Sequence, residues 1–375
     1  MSDIVKEFGT NLESDKKSEN GMYYTPVEYI HKMIDPLFLN DLKKRRDEVI
    51  ASSPYDVIDF IEELSKMSFF DPSSGSGNIL VEIYKSLREI EKSCIDVLRQ
   101  GTAQHDGYRS QIKVSNFYGI ELDEEAYEIS RIIFKRAVEE CDAAAGLPVQ
   151  QISVDDFTGI HHGDAVETDW KSIVSPDELS FIVGNPPYLG AQYRSKEQKE
   201  QMTRVFKGIK GTGILDFAAI WIFKAFTFCK GKECKCAFIL PEVSIFKSKA
   251  VPLLFERALA IKGVRCKVLF AYKPFRWRSE GFEAVVQVTA IGFDCNPHPG
   301  QKAIYFRDDD TSELVDNINF YLLKAPNIFV HPRETPLFEY IYIYIREINE
   351  KSVNSRGGRI KYSLFAQRLK FGDRL

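Results

Sequence analysis

The tetrapeptide Asn185-Pro186-Pro187-Tyr188 places an amide, two rigid prolines and an aromatic ring directly after the apolar run 181–184. An amino group conjugated to a ring is a poor nucleophile. It becomes a better one when the Asn185 side-chain oxygen and a proline carbonyl accept its two hydrogens and favour tetrahedral nitrogen. Tyr188 would supply a stacking face. The tetrapeptide therefore predicts a binding site for a planar amino group, although a plain exit from strand to loop is compatible with the same residues.

A second candidate site lies in residues 68–80, where a short apolar stretch, a turn rich in glycine and serine, and the start of a helix follow one another. Gly75 and Gly77 let the backbone bend sharply and approach a ligand closely. Asp71, at the end of the apolar stretch, favours a positively charged ligand over a phosphate. Because G-x-G-x-x-G and G-K-[ST] are both absent, a dinucleotide or ATP is the weaker interpretation.

Two further acidic residues lie between the glycine turn and Asn185. Glu121 ends a strand within 116–123, at the position where a ribose diol is usually held. Asp164 stands between that strand and the strand before Asn185, where its side chain could accept a hydrogen bond from an adenine amino group. Taken singly, each acidic residue is more often the N-cap of a helix than a ligand-binding group.

A sheet is needed to bring these strand ends together. Alternating strands and helices from residue 67 to 294 predict an α/β fold with a mainly parallel sheet, helices on both faces and the site at the carboxyl ends of the strands. Residues 1–66 are predicted to be helical.

The motifs also occur in the order of a known family. They are Tyr24-Thr25-Pro26, Asp71 to Gly77, Glu121, Asp164 and Asn185-Pro186-Pro187-Tyr188. In this order they resemble the gamma-type amino-group (adenine-N6) DNA methyltransferases, which use S-adenosylmethionine. Residues 184–225 resemble more narrowly the large single-chain type II (IIG and IIL) restriction-modification enzymes. The resemblance implies a Rossmann-like methyltransferase fold.

The resemblance implies roles for individual residues. Those expected to bind S-adenosylmethionine are Tyr24, Thr25, Pro26, Asp71, Pro72, Ser73, Gly75, Gly77, Asn78, Glu121, Leu122, Asp164 and Ala165. Those expected to act in catalysis are Asn185, Pro186, Pro187 and Tyr188. Tyr188 would stack on a flipped base, and Trp277 or Phe282 would stack on its other face, with core packing as the alternative for both. Ser73-Ser74 replaces the family's usual Ala-Cys, and because both serines are small we expect the turn to survive.

Three regions are expected from the resemblance. They are a helical N-terminal region 1–66 with the cofactor-contacting turn, a catalytic core 67–295, and residues 296–375 as the start of a truncated or divergent target-recognition region. Relatives with a nuclease carry it in an N-terminal domain, whereas the first methyltransferase motif here begins at Tyr24. The sequence leaves open a truncated gene product or a subunit that works with a separate nuclease or specificity chain.

Composition predicts a folded protein outside the membrane, because 44% of the 375 residues are hydrophobic and 28% are charged. The longest apolar run, 214–228, contains Asp216 and Lys224 and is too short to span a bilayer, and no signal-peptide pattern is present. A cytoplasmic location is therefore predicted.

The seven cysteines are an odd number and suit reduced core thiols better than a disulfide framework. Cys229, Cys234 and Cys236 lie close together in the chain. Without a second C-x-x-C or a spaced histidine pair to complete four ligands, the sequence favours core packing over zinc, and no metal is predicted.

A formal net charge of −4 argues against general nucleic-acid binding, so local basic residues matter more. Six of them fall in 193–213: Arg194, Lys196, Lys199, Arg204, Lys207 and Lys210. This segment could hold DNA phosphates beside the site. An equally supported alternative is a solvated helix whose charge Glu197 and Glu200 neutralise.

Together these features predict a site-specific adenine-N6 methyltransferase that acts directly on double-stranded DNA within a restriction-modification system. One alternative keeps the chemistry but changes the acceptor to cytosine N4 or a protein glutamine. Another is an inactive remnant, or a subunit that binds S-adenosylmethionine or DNA without turnover.

Overall fold

The computed structural model describes residues 25–101, 108–247, 249–279, 282–296, 300–306 and 311–331. The α-helices are α1 (Val27–Ile34), α2 (Asn40–Ile50), α3 (Pro54–Lys66), α4 (Asn78–Gly101), α5 (Glu124–Ala144), α6 (Lys196–Val205), α7 (Ala219–Phe228), α8 (Glu242–Phe246) and α9 (Leu259–Lys262). The strands are β1 (Phe69–Asp71), β2 (Phe117–Glu121), β3 (Ile160–His162), β4 (Phe181–Gly184), β5 (Lys235–Pro241), β6 (Lys267–Tyr272), β7 (Phe275–Ser279), β8 (Phe282–Asp294), β9 (Lys302–Tyr305) and β10 (Ser312–Val315).

All ten strands belong to one sheet, in the order β3-β2-β1-β4-β5-β8-β6-β9-β10, with β7 paired to β8. Strands β1 to β5 pair in parallel, β8 runs antiparallel between β5 and β6, and β9 pairs in parallel with β6. The predicted mainly parallel α/β sheet is confirmed. Strand order reverses at β1, which lies between β2 and β4, so the chain opens a crevice outside the carboxyl ends of these strands.

Helices cover both faces of the sheet because its buried strands are apolar on both sides. Along β4, Ile182 belongs to the core that contains α7, while Phe181 and Val183 belong to the core that contains α1, α3 and α4. This alternation follows from the two-residue period of a strand. A fully buried Phe or Ile contributes about 1.5–3 kcal/mol to folding, so both cores hold the strand ends in place.

The N-terminal helices pack on the second of these cores. In α3, Pro54 occupies the first turn and the Ser53 hydroxyl accepts a hydrogen bond from the Asp56 amide at 3.3 Å, which caps the helix. The apolar face of α3 is buried through Val57, Phe60, Ile61 and Leu64. The helical N-terminal extension is thus present from residue 27 onward, and residues 1–24 lie outside the described part.

Strands β9 and β10 continue the sheet beyond residue 295. The predicted boundaries at 66/67 and 295/296 stay predictions, and residues 332–375 lie outside the described part. Within the described ranges, no helix combines the length and apolar character that crossing a membrane requires.

Candidate active site at the carboxyl ends of β1, β2 and β4

Asp71 is the last residue of β1, and its side chain is fully buried. Its Oδ1 accepts hydrogen bonds from the Ser73 amide at 3.0 Å and the Ser73 hydroxyl at 3.3 Å. Its Oδ2 is buried without a hydrogen-bond partner among the described residues. An unsatisfied buried carboxylate oxygen is costly, so this atom is a candidate ligand contact.

The turn after β1 requires glycine at two positions. Gly75 and Gly77 have φ angles of +52° and +84°, in the left-handed region that side chains disfavour. A Cβ on Gly77 would lie 3.1 Å from the Ser130 Cβ. The Ser74 amide donates to the Ile120 carbonyl at 3.0 Å, which ties the turn to β2. The predicted glycine turn is therefore formed, with Asn78 as the first residue of α4.

Glu121 ends β2 and faces the same turn. Its Oε2 accepts a hydrogen bond from the Gly75 amide at 2.7 Å, and its Oε1 accepts one from the Asp123 amide at 2.9 Å. We call Asp71 and Glu121 the acidic pair. Beside Glu121, the Leu122 side chain is 67% exposed, which leaves an apolar surface at the strand end.

Burial controls the ionisation of the acidic pair. The pKa of Asp71 is raised to about 7, mainly by burial and in part by the nearby Glu121 carboxylate, while the Ser73 hydrogen bonds oppose the shift. Burial also raises the pKa of Glu121 above its ordinary value. A cationic ligand would therefore stabilise the ionised form of both carboxyl groups.

Asp164 follows β3 and organises the loop there. Its Oδ1 accepts a hydrogen bond from the Val166 amide at 2.7 Å, and its Oδ2 accepts one from the Gln201 side chain of α6 at 2.7 Å. The Lys224 ammonium of α7 donates to the carbonyl oxygen of the buried Ala165 at 2.6 Å. The carboxylate therefore has structural partners, and its contact with a cofactor adenine stays a prediction.

Asn185 follows β4 directly and is half-buried. Its Nδ2 donates to the buried Thr25 hydroxyl at 3.1 Å, and its Oδ1 is hydrogen-bonded by the Tyr188 hydroxyl. Pro26, which follows Thr25, is the N-cap residue of α1. The first predicted motif and the amide of the last one are thus brought into contact. Pro186 is buried and Pro187 half-buried in the same turn.

Tyr188 packs against both cores through its half-buried ring. Its hydroxyl also lies 3.1 Å from the Ile239 carbonyl of β5. Burial of this hydroxyl raises the pKa of Tyr188 well above its ordinary value, and the Asp216 carboxylate adds to the effect. The hydroxyl therefore stays protonated near neutral pH and cannot act there as a general base.

Asp216 is a buried site residue that sequence reasoning did not assign. Its Oδ1 accepts hydrogen bonds from the Leu189 and Ala218 amides, both at 3.1 Å, and its Oδ2 accepts one from the Ser244 hydroxyl at 3.0 Å. It thereby holds the chain that leaves Tyr188. A single carboxylate inside an apolar run was the available signal.

Trp221 of α7 holds the turn after β1 in place. Its indole N–H donates to the Pro72 carbonyl at 3.0 Å, directly after Asp71. One helix therefore supports the turn after β1 through Trp221 and the loop after β3 through Lys224.

The basic segment 193–213 contains helix α6. The Lys196 and Arg204 side chains approach Glu200 at 4.0 Å and Glu167 at 2.5 Å. Lys199, Lys207 and Lys210 are exposed. Arg194 is buried, and its guanidinium donates to the Gly213 carbonyl. Phosphate binding by the other basic residues stays a prediction.

The candidate stacking aromatics differ in position. Trp277 on β7 is only 2% exposed, and its ring centroid lies 5.2 Å from that of Tyr29 in the core. Stacking of Trp277 on a base stays a prediction beside this packing role. The Phe282 side chain and the whole of Tyr24 lie outside the described part.

Comparison with known proteins identifies a family whose model matches most of the chain. The model of the family described as MmeI, DNA-methyltransferase domain, matches residues 46–306. DNA methyltransferase A of Bacillus subtilis strain 168 is 29% identical over 343 residues, which cover 88% of this chain and 38% of that protein. A putative type II restriction enzyme and methyltransferase of Methanocaldococcus jannaschii is 28% identical over 162 residues, covering 36% of this chain and 14% of that protein.

A solved structure extends the comparison to three dimensions. The type IIL restriction-modification enzyme MmeI in complex with DNA superposes with a TM-score of 0.80 at 28% identity, covering 88% of this chain and 45% of that one. The chain thus spans less than half the length of each of these relatives.

Proposed function

The chain belongs to the family of MmeI DNA-methyltransferase domains, and from this membership we propose that it transfers a methyl group from S-adenosylmethionine to N6 of adenine in double-stranded DNA. The observation that carries the proposal is the position of the Asn185 amide. It lies at the end of β4, bound to Thr25 and Tyr188, and β4 pairs directly with the strand that ends in Asp71.

The described residues fit S-adenosylmethionine, which is a cation with a ribose. Asp71 Oδ2 is a buried acceptor without a partner in the described ranges, as a site for a positively charged group requires. The left-handed Gly75 and Gly77 leave two positions of the turn without a side chain. Each Glu121 oxygen accepts one backbone hydrogen bond and retains acceptor capacity for a hydroxyl. When bound, S-adenosylmethionine supplies a methyl group activated by its positively charged sulfur.

The chain's own residues would prepare the adenine. Asn185 Oδ1 and the Pro186 carbonyl would accept the two N6 hydrogens, so that the nitrogen lone pair is released from the ring and the charge developing on nitrogen is stabilised. Thr25 and Tyr188 hold the amide on its two sides, which fixes the acceptor before the base arrives. The Tyr188 ring would stack on the flipped base.

The proposal includes a restriction-modification context and a cytoplasmic location. A separate specificity or nuclease chain is a further part of the proposal. Cytosine N4, a protein glutamine or binding without turnover are the competing outcomes. The family description, a DNA-methyltransferase domain, favours a DNA acceptor.

The test is transfer of a labelled methyl group from S-adenosylmethionine to unmethylated genomic DNA by the purified chain. Asn185→Ala should lower transfer by about 10²–10³-fold, the scale for losing one prearranged hydrogen-bonding group, while cofactor binding by calorimetry is retained. Asn40→Ala removes an exposed asparagine at the start of α2 and should leave transfer unchanged.

Label in N6-methyladenine with the wild type and Asn40→Ala, and its loss with Asn185→Ala, would support the proposal. Label in N4-methylcytosine or in protein would move the acceptor. Cofactor binding without any label, in the presence of DNA, would contradict transfer by this chain alone and favour a subunit or remnant.

A further inference from the structure

Four cysteines meet at the end of the sheet opposite the candidate active site. We call Cys229, Cys234, Cys236 and Cys295 the cysteine cluster, and all four side chains are buried in the same core. Cys94 and Cys141 lie elsewhere, the former in the other core. Since the cluster is at the amino end of β5 and the Asn185 site is at the carboxyl end of the parallel strands, it has no part in the proposed transfer reaction.

Topology explains why these cysteines converge. Cys229 caps the carboxyl end of α7, and a turn through the left-handed Gly231, with φ of +67°, returns the chain to Cys234. Cys234 and Cys236 lie two residues apart at the start of β5, so their side chains point to the same face. The β5–β8 register pairs Lys235 with Asp294, which places Cys295 opposite Cys234.

The sulfur atoms are close enough for a shared ligand. Those of Cys229, Cys234 and Cys236 lie within 4.8 Å of one another, with 3.9 Å between Cys229 and Cys236. Cys295, which lies opposite Cys234 in the strand register, supplies the fourth sulfur of the cluster and lies outside this group of three. Tetrahedral zinc has Zn–S bonds of about 2.3 Å, which correspond to sulfur separations of about 3.8 Å.

The cluster lies directly beneath a surface turn. The turn 230–233 joins Cys229 to Cys234, and its Lys230 and Gly231 are exposed. The Lys230 ammonium donates to the Lys262 carbonyl and the Lys232 ammonium pairs with Asp177, so both lysines have partners outside the cluster.

We propose that Cys229, Cys234, Cys236 and Cys295 bind one Zn²⁺ as a closed four-thiolate structural site. Four sulfur ligands without an open position are typical of structural zinc and not of catalytic zinc. The metal would connect three places in the fold: the end of α7, the start of β5 and the end of β8. Two alternatives compete: four packed thiols, and a disulfide between two members of the cluster.

The experiment uses the full chain, purified under reducing conditions after growth with added zinc. Metal content is measured by elemental analysis, and the bound metal is then exchanged for Co²⁺. We expect about one zinc per chain, and the cobalt form should show the intense visible bands of tetrahedral thiolate coordination. Cys295→Ser should lose the metal, whereas the matched control Cys141→Ser, a half-buried cysteine on α5, should keep it.

Each outcome decides the proposal. Stoichiometric zinc with a thiolate cobalt spectrum supports it even if Cys295→Ser fails to fold, because the wild-type spectrum reports the ligands directly. Zinc retained by a folded Cys295→Ser protein would overturn it, since the metal would then lie elsewhere. Absence of zinc after reconstitution would overturn it too, and thiol titration of the unfolded chain would tell packed thiols, with all seven reacting, from a disulfide.

Discussion

Two groups of buried charge in this chain are built in opposite ways. Between α4 and α5, Arg88 donates to Glu91 at 3.0 Å and to Asp142 at 2.8 Å, so both buried carboxylates have a cation. We call these three residues the arginine cluster. At the carboxyl ends of β1 and β2, the acidic pair Asp71 and Glu121 is buried to a similar degree, and no basic side chain in the described ranges forms an ion pair with either.

The difference separates architecture from binding. The backbone amides of Gln111 and Gln150 complete the carboxylates of the arginine cluster at 2.6 Å and 2.9 Å, so its charges satisfy one another within the fold. Asp71 instead keeps a buried oxygen without a partner in the described residues. Burying a carboxylate without a cation costs stability, and a site that binds a cationic ligand recovers this cost on binding.

The largest expected effect would come from breaking the arginine cluster. Arg88→Met keeps the bulk of the side chain but leaves Glu91 and Asp142 buried without a cation. We expect the free energy of unfolding to fall by about 3–5 kcal/mol, as measured by urea denaturation. Arg45→Met removes an exposed partner of Glu63 and should change it by less than about 1 kcal/mol. Equal losses of stability in the two variants would mean that the buried ion pairs of Arg88 contribute no more than the exposed pair of Arg45.

Removing a charge from the acidic pair should change ligand binding. Asp71→Asn keeps the shape and removes the negative charge, so affinity for S-adenosylmethionine should fall roughly tenfold to a hundredfold, the scale of about 1.5–3 kcal/mol for a hydrogen bond to a charged group. Calorimetry measures it. Stability at pH 8 should not fall, because a buried unpaired charge is removed. A loss of stability comparable to that of Arg88→Met would make Asp71 structural.

Ionisation of Asp71 should make ligand affinity and protein stability change with pH in opposite directions. The pKa of Asp71 is raised to about 7, so below that pH the carboxyl is protonated and binds a cation poorly. Affinity for S-adenosylmethionine should therefore rise about tenfold from pH 6 to pH 8. Because the folded pKa lies above the unfolded one, the stability contributed by this group is lost as pH rises from about 4 to about 7. Both trends should flatten in Asp71→Asn, and persistence of either would assign it to another group.

The smallest expected effect concerns the Tyr188 hydroxyl. Unlike Asp71 Oδ2, this hydroxyl has hydrogen-bond partners among the described residues. Tyr188→Phe retains the ring for stacking but removes the hydrogen bond to Asn185. The rate of methyl transfer should fall about fivefold, corresponding to about 1 kcal/mol for one hydrogen bond. Single-turnover kinetics measures it. An unchanged rate would mean that Thr25 alone positions the amide.

Much of the site could be predicted because its signals are local. Asp71, Glu121 and Asn185 each end or follow a short apolar run, and the structure finds each at the carboxyl end of its own strand. Asp164 shows where such reasoning stops. The sequence placed it only between the strands now called β2 and β4, and its partner Gln201 lies 37 residues away on α6, so no local pattern signals that contact.

The amino-acid sequence by itself determined the α/β class, the order of the motifs and the family resemblance, because burial alternation and turn-forming residues act over a few positions. Only the tertiary structure decided which side chains meet. Thr25 and Asn185 are 160 residues apart and are hydrogen-bonded. Cys295 comes to lie opposite Cys234, 61 residues away in the chain, only through the β5–β8 register. Such contacts depend on strand order and register, which the packing of the whole sheet establishes.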